Sequence, residues 1–73
     1  MSRFRELLTR AAAWWRAHRL ARAEALELAA AKLQQRADQH SRDGEVLRAL
    51  RSRERAAILN RRAAQLRERA GEE

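Results

Sequence analysis

Arg48-Ala49, Arg55-Ala56, Arg62-Ala63 and Arg69-Ala70 recur at intervals of seven residues, and Leu59 and Leu66 keep the same interval. Seven residues are close to two turns of α-helix, so each member of the repeat returns to one face. A strand, with its period of two, would throw successive members of an odd repeat onto opposite faces. The segment is therefore helical, and its repeating face must be covered. With Ala49, Ala56, Ala63 and Ala70 at heptad position a, the d positions are Ser52, Leu59 and Leu66. Small a residues let two helix axes approach closely. Arg48, Arg55, Arg62 and Arg69 then occupy g, while Arg53, Asn60 and Arg67 occupy e. In a parallel, in-register self-pair e and g face each other, so Arg on both flanks would repel. The seam calls for an antiparallel or an acidic neighbour.

The rest of the chain can supply that neighbour. The sequence has 73 residues, no Pro, no Tyr and two Gly, and is dominated by the helix formers Ala, Leu, Arg, Glu and Gln. Ser2 suits an N-cap. From Phe4 an apolar stripe at i+3 and i+4 steps passes through Leu7, Leu8, Ala11, Trp14, Trp15, His18, Ala21, Ala25, Leu26, Leu28, Ala29 and Leu33. It is interrupted by the polar run Asp38-Gln39-His40-Ser41-Arg42-Asp43-Gly44, which has the composition of a turn. One helix running straight through Gly44 is the alternative, at a cost of only ~1 kcal/mol for the Gly. The expectation is an all-α antiparallel helical hairpin forming a single unit over residues 1–73. Helix 1 would cover about 3–38, the turn about 38–44 and helix 2 about 45–70, with Gly71 as a C-cap signal and a frayed tail at 71–73. A turn at 38–44 faces residues whose numbers total near 82, which places Glu24 and Glu27 near Arg55 and Arg62 and leaves Arg3 to Ala11 overhanging. The hydrophobic complement is 17 Ala and only 16 larger residues. So thin a core points to self-association, as in a four-helix bundle, or to docking on a larger protein.

Several functions are disfavoured by what the chain lacks. Without Cys there are no disulfides and no thiolate chemistry. Glu6 and Arg10 break up any signal-peptide h-region, and the uncharged run Ala11–Trp15 is far short of the ~20 residues of a spanning helix. A cytoplasmic protein is expected. His18 and His40 are 22 residues apart, with no metal-ligand spacing. Ser2, Thr9, Ser41 and Ser52 have no His–acid arrangement near them. No enzyme, no cofactor, no metal and no small-molecule substrate are expected.

What remains is binding. The formal charge is +7, unevenly spread: residues 1–23 carry +5, residues 24–45 carry −2 and residues 46–71 carry +6. Phe4, Leu7, Leu8, Trp14 and Trp15 are candidate anchors for a protein partner with an acidic or helical surface, Trp being favoured at interface hot spots. The same Trp residues could instead fill the wide end of a bundle core. Arg48, Arg51, Arg55, Arg62 and Arg69 form a ladder on one ~60° face of helix 2, suited to a phosphate backbone or an acidic surface. A third possibility is an anionic membrane surface, met by the cationic amphipathic segment 3–22. Asn60-Arg61-Arg62-Ala63-Ala64-Gln65-Leu66-Arg67 resembles the Asn-x-x-Ala-Ala core of the bZIP basic region, a helix that enters the major groove. The likeness spans about eight residues. The family's closing Arg, eight places beyond the Asn, falls on Glu68, which would repel phosphate, and no leucine zipper follows.

Overall fold

Alanine at every seventh position on both arms determines how this chain packs. The structure, a computed structural model, describes residues 2–72 as two helices, α1 (Ser2–Arg42) and α2 (Val46–Glu72), packed against each other as an antiparallel hairpin. The fully buried residues are Ala23, Ala30 and Ala37 on α1 and Ala49, Ala56, Ala63 and Ala70 on α2, none more than 4% exposed. Among the described residues no large side chain is fully buried. Leu26, Leu33 and His40 on α1, and Ser52, Leu59 and Leu66 on α2, are half-buried three places beyond the alanines. Methyl groups let the two backbones come close, and the leucines drape over the joint. The α2 seam is the one expected. The α1 seam is not the stripe read from the sequence: of that stripe only Leu26, Ala29 and Leu33 leave the surface.

The turn is tighter and later than expected. Asp38 to Arg42 are helical, and the reversal takes only Asp43, Gly44 and Glu45. Gly44 has φ +77°, the left-handed region in which a Cβ is strained. Its N–H donates to the Ser41 carbonyl at 3.1 Å, and the Glu45 N–H donates to the His40 carbonyl at 2.7 Å. Those are the two bonds of a Schellman motif with Gly44 at C′. The usual apolar contact across that motif is replaced by a polar one, His40 Nδ1 lying 3.4 Å from Glu45 Oε2. Glu45 also begins α2, its carbonyl accepting from the Ala49 N–H at 3.0 Å and its carboxylate holding Arg48 at 3.0 Å. Gly44→Ala should cost about 1–2 kcal/mol by chemical denaturation, and Gly44→Asn less. A Cβ here would meet no atom within 4 Å, so the loss is a backbone effect alone. Gly71 has no corresponding role: α2 continues through it to Glu72, and the end of the expected tail, Glu73, lies outside the described residues.

Moving the turn resets the register. Glu27 pairs with Arg67 and Asp38 with Arg53, positions whose numbers total 94 and 91 rather than 82. Glu27 therefore meets neither Arg55 nor Arg62. The end of α2 stands level with about residue 20 of α1, so the overhang is twice what the sequence register implied. Residues 2–18 are exposed throughout, and Arg19 is the first that is not. The rod measures 64 × 15 × 11 Å, with a radius of gyration of 17.8 Å against about 11 Å for a compact globule of this length.

Candidate functional site

Two exposed surfaces of the hairpin stand out, and they lie on different parts of it. The first is the free arm of α1. Its heptad phase, carried back from Ala23 and Leu26, lands on Arg19, Arg16, Ala12, Thr9 and Arg5. Those residues offer α2 no apolar seam, and Thr9 turns its hydroxyl back to donate to the Arg5 carbonyl at 2.9 Å. The apolar residues of the arm occupy another face. Phe4, Leu7, Leu8, Ala11, Trp14, Trp15 and His18 fall within about 120° of arc, centred roughly 120° around from those seam-phase residues at 100° per residue. Phe4, Leu7, Leu8, Trp14 and Trp15 are between 52% and 67% exposed. They are brought together as the sequence suggested. They do not fill a bundle core with α2, because the arm extends past it.

The aromatic end of this face is ordered by ring contacts. The His18 ring stacks on Trp14 at 5.3 Å with the planes 3° apart, and Trp15 meets Trp14 edge-on at 4.9 Å and 82°. Such pairs contribute about 0.5–1.5 kcal/mol beyond burial alone. They fix a broad apolar ridge on an otherwise slender helix. Arg3 and Arg10 border the face on one side, and Arg5 and Arg16 lie beyond its other edge, along the seam direction. Two copies laid arm to arm in register would bring rows of like charge together. Leu28 on α1 and Leu47, Leu50 and Ile58 on α2 are also exposed; the three on α2 fall within about 80° of arc on its outer face, where Arg51, Glu54 and Arg61 interrupt them.

The second surface is one flank of the paired region. On the e side the charges are matched: Arg67 Nη2 lies 2.6 Å and its Nε 2.7 Å from Glu27 Oε1, and Arg53 Nη2 lies 3.8 Å from Asp38 Oδ1. The Glu27–Arg67 side chains are nearly half exposed, so a double-mutant cycle with Glu27→Gln and Arg67→Gln should give a coupling below about 1 kcal/mol. The g side is different. Arg22 and Arg36 of α1 hold the heptad position that faces Arg48, Arg55, Arg62 and Arg69 of α2, and Arg51 lies alongside. Arg48 is tied to Glu45. Arg22, Arg36, Arg51, Arg55, Arg62 and Arg69 form no ion pair among the described residues. Arg22, Arg62 and Arg69 line one groove with Gln65, Leu26 and Leu66. The ladder read from α2 is thus half of a two-helix flank. Arg22 and Arg36 share a seven-residue phase one place before Ala23 and Ala37, and that signal is visible once the α1 alanines are recognised as a seam.

Among the described residues no three His, Cys, Asp or Glu side chains gather as metal ligands, and neither helix is long and apolar enough to cross a membrane. These features define a class: an alanine-seamed, antiparallel helical hairpin with one arm extended as a cationic amphipathic helix. No family model, curated protein or solved structure matches the chain.

Proposed function

We propose that this chain is a small cytoplasmic adaptor or regulatory protein without chemistry of its own, acting by helix-mediated binding to another protein. The observation that supports this is the free arm of α1, where five large apolar side chains are more than half exposed on a face that α2 cannot reach. An exposed apolar ridge of that kind marks an interaction surface. Its Arg borders favour an acidic helix or groove, which would gain speed of encounter from the charge and affinity from the Trp side chains.

Benzoylphenylalanine placed at Ala11, in the middle of the ridge, tests the reading by photocrosslinking in cells. One discrete protein adduct is expected, lost when Trp14 and Trp15 are both changed to Ala. An adduct pattern indifferent to the two Trp residues would overturn the assignment. A blue shift of Trp emission on anionic but not neutral vesicles, with no protein adduct, would give the arm to lipid instead.

A further inference from the structure

Charge is segregated across the paired region of the rod. The acidic residues of α1 between Glu24 and Asp38, namely Glu24, Glu27 and Asp38, all lie on the e side, where Arg67 and Arg53 answer two of them. The opposite side carries Arg22, Lys32 and Arg36 from α1 and Arg51, Arg55, Arg62 and Arg69 from α2, with no acid until Asp43 at the turn. Asp43 is itself engaged by the Gln39 amide at 3.2 Å. A row of like charges facing a like row raises the energy of the hairpin, and a polyanion laid along it would relieve this over the whole length.

We propose that this Arg flank is a binding surface for the phosphate backbone of double-stranded nucleic acid, separate from the protein-binding arm. From Arg48 to Arg69 the ladder runs ~31 Å at 1.5 Å per residue, about one turn of B-DNA at 34–36 Å. Arg48, Arg55, Arg62 and Arg69 follow one another at ~10 Å along the axis of α2 at 1.5 Å per residue, and Arg22 and Arg36 from the facing helix widen the row into a band. A band presents forked donors to both sides of a groove, which a single ladder does not. No aromatic residue lies on this flank, since Phe4, Trp14 and Trp15 are all on the free arm. Single strands are held by stacking on aromatic platforms, so the flank suits a duplex. Gln65 is the one amide in the groove with Arg22, Arg62 and Arg69. Contact is therefore chiefly with phosphates, and recognition is independent of sequence.

Fluorescence anisotropy of the full chain with a labelled 20-base-pair DNA duplex, from 50 to 200 mM salt, tests this. Two variants are compared: Arg22→Gln/Arg62→Gln/Arg69→Gln on the flank, and Arg53→Gln/Arg67→Gln on the opposite side. The flank variant should lower the slope of log K against log salt by ~0.9 for each of three lost phosphate contacts, a loss of at least about 100-fold at 0.1 M. The opposite-side variant should leave the slope within about one contact of the parent. An oligo-dT strand of the same length should bind more weakly than the duplex. Equal loss per charge in the two variants would show only diffuse attraction and would overturn the site, as would no duplex binding at 50 mM salt. A far-UV spectrum and melt accompany each variant: the flank residues are exposed and facing like charges, so their neutralisation should hold or raise the midpoint. A lowered midpoint calls for Arg→Lys at the same three positions, and duplex affinity that Lys fails to restore would also overturn the proposal.

Discussion

Ala56→Leu should lower the thermal midpoint by roughly 8–16 °C, as an overpacked core position costs about 2 kcal/mol and each kcal/mol moves a domain of this size by about 4–8 °C. Ala56 is fully buried in a seam built of methyl groups. A Leu there has no cavity to occupy and must part the helices. The same change at Ala57 or Ala64, both exposed on the next face, should leave the midpoint within a degree or two. Melts followed by far-UV circular dichroism distinguish the cases. Equal midpoints for Ala56→Leu and Ala64→Leu would mean that close approach of the helices is not what stabilises the hairpin.

Changing Trp14 and Trp15 together to Ala should weaken partner binding by at least about 2 kcal/mol, close to 30-fold, and barely alter the melt. The two effects separate because the residues lie beyond the end of α2, where no tertiary contact depends on them. Had the Trp side chains filled a bundle core, the same substitutions would cost 3–5 kcal/mol of stability each. Titration of the captured partner against parent and variant, with a melt of each, reads both quantities. A large drop in midpoint would place the rings in a packed core. Unchanged affinity would remove them from the interface.

The hairpin itself was legible in the sequence, and so was the α2 seam, because Ala49, Ala56, Ala63 and Ala70 repeat amid charged neighbours that make the phase conspicuous. The α1 seam obeys the same rule but is hidden. Ala23, Ala30 and Ala37 sit in a stretch so rich in Ala and Leu that several faces look apolar, and the larger residues drew the stripe toward the wrong one. The turn was misplaced for a related reason. Asp38, Gln39, Ser41 and Arg42 have turn-like composition, yet they lie on exposed positions of a helix that ends only where Gly44 can take positive φ. Three residues of displacement in the turn shifted the register, and with it every expected cross-helix ion pair. The grouping of Phe4, Leu7, Leu8, Trp14 and Trp15 survived because it depends on local helical spacing alone. The Arg flank was only half visible, since Arg22 joins Arg62 and Arg69 through a register that no local pattern contains.

A seam of identical alanines has one more consequence. Sliding α2 along α1 by a heptad would set methyl against methyl again, so within the paired stretch the joint works like a zipper with interchangeable teeth. What singles out one tooth is the three-residue reversal at Gly44, too short to pay out slack, together with Glu27–Arg67 and Asp38–Arg53, exposed pairs of small individual worth. The reversal is thus the stop that gives the zipper a single closed position. Severing the chain between Asp43 and Glu45 would leave two helices able to mate in neighbouring alignments, and the length of the free arm would no longer have a single value.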